Sequence, residues 1–396
     1  MASLRTRRAA PRQTGVPPRL PPAIAALAAA LLLGAAAARP VNISNVVPRR
    51  DTDGAVLDAH DSKVIFFGGR YLWFAASYGN CTEPQGDSGC ASVSVGACGF
   101  QTDHNVSLYS SADLVTWTND GVVFGARNNL PPNSVLFAPK TVYNPKTQLF
   151  VMFFNYIVST FSASYYGVAT SASARGPFTV ANKNIALRYQ DNGDENLLVD
   201  EDGTAFLIYT TLSHNHGMSI ERLAPDYLTS LGATDPAQSS GIFGDDNVEA
   251  PAVFRRGGVY YAVFGSCCCY CGSGSVVSVY TAASPLGPYT KRNALAAPPP
   301  AGAAAADAAS AAAADAASAA AADAAAVPAF GSQQTDIFAY MDSAGAAQYM
   351  YVGDHWQSAP DRLKSHDFTV WAPLFFSADG NVSTLGFQSS FVVDVA

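Results

Sequence analysis

The chain has 396 residues, of which 11% are aromatic and 14% charged, and its formal net charge at pH 7 is −8. This length suits one large β domain or two ordinary domains. The hydrophobic fraction of 49% is inflated by alanine runs. Lys and Arg cluster only near the N-terminus, and the acidic balance elsewhere argues against a nucleic-acid partner.

The N-terminal segment 1–38 carries five arginines before the apolar run AIAALAAALLLGAAAA at 23–38. A basic region, an apolar core and small residues are typical of a secretory signal, here with cleavage near Ala38. The run is short for a membrane span, but the long basic region leaves an uncleaved signal anchor as the alternative. We expect a secreted protein that associates with a membrane only if segment 1–38 is retained.

Sequons and cysteines agree with export. Four N-x-[ST] sequons begin at Asn42, Asn80, Asn105 and Asn381, and they predict a glycoprotein. Seven cysteines fit an oxidising compartment and predict disulfides, with at least one cysteine left over. The run CCCYC at 267–271 also suggests zinc, but no nearby pair of histidines completes such a site.

Five segments share one plan: a polar residue, an apolar strand, a tight turn and a second, aromatic strand. They begin at Asp58, Phe137, Asp194, Glu249 and Ser332. Their turns have the composition of β-hairpin turns. These turns are Gly68-Gly69, Asn144-Pro145, Asp202-Gly203, Gly257-Gly258 and Ser343–Gly345.

The spacing of the segments indicates a repeat. Pro139 and Asp194 are 55 residues apart, as are Asp194 and Glu249. A strand–turn–strand pattern also recurs between the hairpins, at 108–118, 166–180 and 278–290. Units of four strands repeated five times predict an all-β, five-bladed β-propeller. Residues 39–396 would then form one domain, with the alanine-rich tract 298–328 as a low-complexity insertion between blades four and five.

In a propeller the first strand of each blade lines the central channel. The polar residues at the unit starts should therefore converge there: Asp58, His60, Asp61, Lys140, Asp194, Glu249 and Gln333. A single carboxylate at a strand start is more often solvated. Polar groups from five repeats in one channel favour a functional site. Burying several carboxylates costs folding free energy, and such a set is most often kept for a function.

Two carboxylates across a pocket suit glycoside hydrolysis, in which one group donates a proton to the leaving oxygen. Glu249 is the predicted donor, and Asp194 adds like-charge repulsion from one blade away. Trp73, Tyr166 and Trp356 are candidate stacking faces for sugar rings. Core packing is the alternative for each of these three rings.

The chain resembles family 43 of the glycoside hydrolases, which are five-bladed propellers. It is most similar to the exo-β-1,3-galactanase branch, whose members release galactose units from arabinogalactan side chains with inversion. The resemblance covers about 51–374 and rests on six motifs. They are DTDGAVLDAH at 51–60, APKTVYNPKTQLFVM at 138–152, LLVDEDGTAFLIY at 197–209, EAPAVFRRGGVYY at 249–261, SQQT at 332–335 and GDHW at 353–356.

The resemblance implies roles residue by residue. Glu249 in the EAP motif takes the general-acid position, and Asp194 takes the position that orients the acid and tunes its proton affinity. Gln333 in SQQT stands where the galactanase-like branch is thought to use a glutamine, through its imidic tautomer, in place of an aspartate base. His60 matches the central histidine of blade one.

Three positions depart from the family pattern. Ala76 stands where family members usually have a glutamate that binds the sugar, and Phe137 stands where they usually have an acidic residue two positions before Pro-Lys. Asp61 replaces the glycine that usually follows the histidine. The loss of two sugar-binding carboxylates bears on galactose specificity and leaves the catalytic pair intact. Asp58 or Asp61 as the base is the alternative to Gln333.

We expect a monomeric, inverting exo-glycosidase that acts on a polysaccharide or oligosaccharide, with His60, Asp61 and Lys140 among its substrate-binding residues. No cofactor or protein-bound metal is expected, and a channel calcium is left open. The alternatives are an arabinofuranosidase or xylosidase of the same family, or a sugar-binding propeller without turnover. A protein-interaction propeller lacks a surface motif to support it.

Overall fold

The computed structural model describes residues 39–83, 94–158, 164–190, 192–266, 274–296 and 331–396. These residues fall within one compact unit, Ala38–Ala396. The predicted signal segment 1–38, the alanine-rich insertion 298–328, Cys90 and the CCCYC run at 267–271 lie outside the described residues.

The described chain opens with strand β1 (Arg39–Ser44), which pairs antiparallel with the last strand, β21 (Ser390–Val395). Between these two strands, the aromatic and β-branched runs form five antiparallel sheets, each built from consecutive strands. We call these sheets blades 1 to 5. The predicted all-β, five-bladed propeller is confirmed.

The first three blades have four strands each. Blade 1 consists of β2 (His60–Phe67), β3 (Arg70–Ser77), β4 (Asn105–Ser111) and β5 (Trp117–Gly125). Blade 2 consists of β6 (Ser134–Asn144), β7 (Leu149–Val158), β8 (Ser164–Ser171) and β9 (Thr179–Asn182). Blade 3 consists of β10 (Asn192–Val199), β11 (Ala205–Thr211), β12 (Gly217–Arg222) and β13 (Ser239–Phe243).

Blade 4 also has four strands, whereas blade 5 has three in the described part of the chain. Blade 4 consists of β14 (Val248–Arg256), β15 (Val259–Ser266), β16 (Val277–Ala282) and β17 (Thr290–Ala296). Blade 5 consists of β18 (Gln333–Met341), β19 (Ala347–His355) and β20 (Phe368–Pro373). In the described ranges, helical structure is limited to α1 (Ala126–Asn129) and two 3₁₀ turns, Pro236–Gln238 and Lys364–His366.

The five innermost strands form a closed ring. Strand β2 contacts β6, β6 contacts β10, β10 contacts β14, β14 contacts β18, and β18 returns to β2. Each predicted hairpin turn joins the first two strands of its blade. Among the described helices, none combines the length and apolarity that a membrane crossing requires.

Apolar side chains fill the five interfaces between neighbouring blades, one cluster to each interface. At the interface of blades 1 and 5, the cluster includes Trp73, Trp117 and Trp371, and strands β1 and β21 contribute Ile43 and Val393. The two terminal strands therefore cover the three-stranded blade and close the ring.

Each innermost strand is interrupted by a β-bulge or register shift close to its start. In three blades the first residue of the bulge, directly after the pair that precedes the register shift, has a left-handed backbone. These residues are Asp61 (φ 48°), Ala138 (φ 46°) and Ala250 (φ 53°). A bulge redirects the side chains that follow it. Asp61 stands where glycine is usual in the family, at a φ that glycine adopts most easily.

Candidate active site

A cavity at the channel receives residues from all five innermost strands. Its lining residues are Asp61, Ala138, Lys140, Asp194, Glu195, Ala250, Pro251, Gln333, Gln334 and Thr335. The structure therefore brings together four of the predicted site residues, Asp61, Lys140, Asp194 and Gln333. Glu249 directly precedes the lining residue Ala250 and lies partly buried on β14.

Asp194 and Glu249 lie on neighbouring blades and interact electrostatically. The pKa of Asp194 is raised well above its ordinary range by burial, and the negative charges of Glu249 and Asp61 raise it further. Lys140 and a backbone hydrogen bond from Ala250 act in the opposite direction. Burial and like-charge repulsion both favour the protonated form of Asp194.

The peptide that follows Glu249 is held from two sides. The Ala250 backbone hydrogen-bonds the Asp194 carboxyl, and its carbonyl accepts a 3.1 Å hydrogen bond from Nε2 of Gln334. Gln334 also donates to the Val263 carbonyl, at 2.9 Å. Blades 3, 4 and 5 therefore meet at this left-handed residue and fix the backbone that carries Glu249.

Gln333 is nearly buried and has a defined orientation. Its Oε1 accepts a 2.7 Å hydrogen bond from the indole N–H of Trp356, and its Nε2 donates to Oδ2 of Asp194 at 3.4 Å. An indole N–H only donates. The hydrogen bond from Trp356 therefore fixes the side-chain amide of Gln333 with its oxygen facing the indole and its nitrogen facing Asp194.

Trp356 is itself supported by charged and aromatic neighbours. The ammonium of Lys364 lies 3.7 Å from the centre of its ring system, and the His60 ring centroid is 5.3 Å away. Lys364 forms 2.9 Å ion pairs with both Glu83 and Asp367. A cation over an indole face is stabilising, so Lys364 supports the ring that orients Gln333.

His60 lies fully buried beneath these residues. Its Nδ1 is 3.3 Å from Asp354, and its Nε2 is 3.8 Å from Asp58. Burial lowers the pKa of His60, but the hydrogen bond and charge of Asp354, with the charges of Asp58 and Asp367, outweigh it and raise the pKa overall.

The two carboxylates proposed as alternative bases have different surroundings. Both oxygens of Asp58 accept backbone hydrogen bonds, from Tyr78 at 2.9 Å and Gly79 at 2.8 Å. Asp61 accepts a 2.7 Å hydrogen bond from the Tyr78 hydroxyl and lines the channel cavity. Burial raises the pKa of both carboxyls, with Asp354 adding to the effect at Asp61.

Lys140 connects three blades across the channel. Its ammonium donates to the backbone carbonyls of Asp61 at 3.1 Å, Ser62 at 2.7 Å and Thr335 at 2.8 Å. A lysine ammonium has three donors, and all three are engaged here. Burial lowers the pKa of Lys140, while Asp336 and Asp61 oppose this shift. A substrate contact by Lys140 stays a prediction, and its visible role is structural.

The three aromatic candidates do not present open faces to the channel. Trp73 is 0% exposed and packs between blades 1 and 5, which corrects its assignment as a stacking face. Tyr166 is also 0% exposed and donates from its hydroxyl to the Gly193 carbonyl at 2.6 Å. Trp356 is 1% exposed and acts on Gln333.

Glu195 was not identified from the sequence, although it lines the channel cavity. It is 1% exposed, and neither carboxyl oxygen has a hydrogen-bond partner among the described residues. Burial raises its pKa well above the ordinary range, with Lys140 opposing and Asp194 and Asp61 adding to the shift. In a regular strand, side chains alternate between the two faces, so Glu195 and its neighbour Asp194 would not both reach the channel. The register shift between Asn192 and Glu195 brings both to the cavity, and the sequence gives no sign of that shift.

Two of the three positions that depart from the family pattern, Ala76 and Phe137, pack against rings. Ala76 pairs with His60 in the sheet and packs with Tyr78 and Trp356. Phe137 contacts the rings of Phe100 and His104, with centroid distances of 5.7 and 6.0 Å. Neither position supplies a carboxylate to the channel.

The predicted disulfides meet structural evidence at one pair. Cys81 and Cys98 form a disulfide, which assigns one pair among the seven cysteines. Within the described ranges, no group of three or more His, Cys, Asp or Glu side chains is arranged to hold a metal ion.

Comparison with known families identifies a match over most of the propeller. The family model described as glycosyl hydrolases family 43 matches residues 60–299. No curated protein gives a significant match to the chain.

Solved structures of family 43 enzymes share the fold. A β-1,3-galactosidase with galactodeoxynojirimycin aligns with a TM-score of 0.67 at 20% identity, over 88% of this chain and 99% of that one. An exo-β-1,3-galactanase from Clostridium thermocellum aligns at 0.67 and 23% identity, over 89% and 67% of the two chains. The exo-β-1,3-galactanase from Phanerochaete chrysosporium, with β-1,3-galactotriose, aligns at 0.64 and 20% identity, over 89% and 68%.

Proposed function

The chain belongs to family 43 of the glycosyl hydrolases, and from that premise we propose that it is an exo-acting, inverting β-1,3-galactan hydrolase. Glycosidase activity follows from the family, whereas the substrate, the direction of attack and the stereochemistry belong to the proposal. Structures that share this fold include galactanases and galactosidases for β-1,3 linkages, and the residues at the channel support the same chemistry.

One observation carries the proposal: the chain Gln333–Asp194–Glu249 at the channel cavity. Gln333 donates to Asp194 at 3.4 Å, and the charge of Glu249 acts on Asp194. An acid, an orienting carboxyl and an amide are therefore neighbours on three different blades. Inverting hydrolysis requires an acid and a base that act on opposite sides of the sugar.

In the proposed reaction, Glu249 gives its proton to the glycosidic oxygen as the bond from that oxygen to the anomeric carbon breaks. A water molecule attacks the anomeric carbon from the opposite side. The proton that this water loses goes to the nitrogen of Gln333 in its imidic form. Asp194 orients both groups, because it contacts the amide of Gln333 and the peptide next to Glu249.

The direct test is product analysis with β-1,3-galactotriose. Release of galactose from the chain end, first observed as the α-anomer by NMR, is the expected result. Larger fragments from internal cleavage of a longer β-1,3-galactan would contradict exo-action, and the β-anomer as first product from the trisaccharide would contradict inversion. Arabinan and xylan in the same panel test the arabinofuranosidase and xylosidase alternatives, because sugar release from either alone would replace the galactan assignment.

The apolar residues at two sugar-binding positions favour a second candidate, a propeller that binds sugar without turnover. Ala76 and Phe137 supply no carboxylate to a bound ring. Calorimetry with β-1,3-galactotriose distinguishes the two functions. Binding without any released sugar over a prolonged incubation would support the second candidate.

Export through the secretory pathway belongs to the same proposal. The Cys81–Cys98 disulfide fits an oxidising compartment, and two of the sequon asparagines, Asn42 and Asn80, are exposed. Expression in a eukaryotic secretory host should yield a protein that loses mass on treatment with an N-glycosidase. Retention of the full mass would argue against glycosylation.

A further inference from the structure

A second cavity lies at the place where the propeller ring closes. Its wall includes Arg49 from the segment before blade 1, Trp73 from blade 1, and Asp367 and Thr369 at blade 5, together with the apolar side chains of Val56 and Leu57. It shares no lining residue with the channel cavity. The proposed hydrolysis makes no use of it.

Two hydrogen-bond donors at this cavity are unpaired among the described residues. Nη1 of Arg49 donates to the carbonyl and hydroxyl oxygens of Thr369, at 2.5 and 2.7 Å. Nη2 of Arg49 is buried without a partner, although the residue as a whole is partly exposed. Nε1 of Trp73 is also buried without a partner, on a side chain that is 0% exposed.

No carboxylate among the described residues forms an ion pair with Arg49, although Asp367 lines the same cavity. Its hydrogen bonds go to uncharged oxygens of Thr369, and its guanidinium lies 4.7 Å over the ring of Trp371. Burial lowers its pKa to about 9. The acidic wall residue, Asp367, instead accepts hydrogen bonds from the backbone of Gln357 and Ala359 and from Lys364.

We propose that this cavity binds a weakly hydrated monovalent halide, chloride or bromide, held between Nη2 of Arg49 and Nε1 of Trp73. A water molecule would satisfy the two donors but would leave the guanidinium charge uncompensated. The Asp367 carboxylate in the wall is already engaged by Lys364 and two backbone N–H groups. Val56 and Leu57 offer no side-chain donors that a phosphate or sulfate would need, so the wall favours a weakly hydrated halide.

The bound anion would connect the parts of the chain that close the ring. Arg49 belongs to the segment that follows β1, Trp73 to β3, and Thr369 to β20. In the same region, the Asn45 side chain bonds both the N–H and the carbonyl of Trp371, at 2.9 and 2.8 Å. An anion there adds a further contact between blade 1, blade 5 and the N-terminal segment.

The test uses the intrinsic fluorescence of the chain, because bromide quenches indoles on contact. All four tryptophans are at most 1% exposed, so quenching by collision from solvent should be weak. Bromide is titrated in place of fluoride, so that the ionic strength stays constant. The expected result is quenching that saturates as the bromide concentration rises. The melting temperature should rise by about 2 °C at a bromide concentration tenfold above Kd.

Arg49→Met retains an alkyl stem over Trp371 and removes the guanidinium, so saturable quenching and the thermal shift should both disappear. The matched control is Arg50→Met, because Arg50 is exposed and its Nη1 bonds only the nearby Gly54 carbonyl among the described residues. This control should behave as wild type. Linear quenching in all three proteins, with equal melting temperatures in bromide and fluoride, would overturn the proposal.

A crystallographic measurement covers the outcome in which Arg49→Met does not fold. Wild-type crystals soaked in bromide should give an anomalous peak between Arg49 and Trp73. Density for a water molecule alone at that point, without anomalous signal, would overturn the proposal independently of any variant. Both experiments are independent of catalytic activity, so failure of the galactanase assignment would not affect them.

Discussion

The indole N–H of Trp356 donates to the side-chain oxygen of Gln333 at 2.7 Å. This contact gives the amide a single orientation, with its nitrogen towards Asp194. An unrestrained glutamine has many side-chain conformations, and a weakly basic amide gains from being held in place. Trp356 therefore orients the side chain of Gln333, and at 1% exposed it offers no open face on which a sugar could stack.

Trp356→Phe should separate positioning from binding. The phenyl ring still fills the space beside His60 and Lys364, but the donor to Gln333 is lost. We expect kcat on galactan oligosaccharides to fall by roughly 10–10²-fold, with KM changed much less, because misplacement of a reacting group mainly affects the transition state. Steady-state kinetics with β-1,3-galactotriose measure both parameters.

Trp117→Phe is the matched control for that variant. Trp117 is 0% exposed, and its N–H donates to the Leu114 carbonyl at 3.0 Å in the core between blades 1 and 5. Its replacement should lower the melting temperature and leave kcat unchanged. If the two variants lower kcat equally, the loss reflects stability and Trp356 has no special relation to Gln333.

Glu249→Gln tests the proton donor. Loss of general-acid assistance should reduce turnover of β-1,3-galactotriose by roughly 10²–10⁴-fold. The loss should be smaller for an aryl galactoside with a good leaving group, because that group departs without protonation. Circular dichroism checks that the variant is folded. A folded variant with wild-type turnover on the trisaccharide would exclude Glu249 as the acid.

Azide rescue distinguishes the candidate bases. Gln333→Ala should lose activity and regain part of it with azide, yielding an α-galactosyl azide from a β-linked substrate, because a small anion needs no base. Asp61→Asn should give no azide product if Gln333 is the base. If azide restores activity to Asp61→Asn and not to Gln333→Ala, then Asp61 is the general base.

The fold could be predicted because its signals are local. Each hairpin turn has a characteristic composition, such as Gly257-Gly258, and the interval of 55 residues between Asp194 and Glu249 reflects one blade per repeat. Blade 5 was less predictable. Its three described strands pack against the separate two-stranded sheet of β1 and β21, and pairing between the two ends of a chain leaves no local pattern.

The site could be predicted only in part, because bulges decide which side chains face the channel. Polar residues at the unit starts predicted that Asp61, Lys140, Asp194 and Gln333 would converge, and all four line the channel cavity. Their roles in catalysis and binding stay predictions. The aromatic residues gave no information about exposure, so the sequence left stacking and core packing both open for Trp73, which the structure places in the core. Glu195 was missed because strict alternation directs it away from the channel.

Lys140→Met tests the structural connection across the channel. The variant fills similar space but leaves the carbonyls of Asp61, Ser62 and Thr335 without their donor. We expect the free energy of unfolding to fall by about 3 kcal/mol, measured by urea denaturation. Lys146→Met, at an exposed position in the hairpin of the same blade, is the control and should change it by less than about 0.5 kcal/mol.

Glu195→Gln tests the buried carboxyl through the pH dependence of stability. Because the folded-state pKa of Glu195 is raised, the folded protein holds a proton that the unfolded chain releases above pH 4–5. Stability should therefore fall as pH rises from the unfolded towards the folded pKa, by at most about 1.4 kcal/mol per pH unit for this group. Below the unfolded value both states are protonated, and the effect vanishes.

In Glu195→Gln this contribution is absent, so the free energy of unfolding should decline less steeply between pH 5 and pH 8 than in wild type. Urea denaturation at each pH gives the slope. Glu201→Gln is the control, because the Glu201 side chain is 83% exposed and contacts only Arg255 among described charged groups. Parallel wild-type and Glu195→Gln curves would show that Glu195 is ionised in the folded protein, and that the ammonium of Lys140 stabilises its charge.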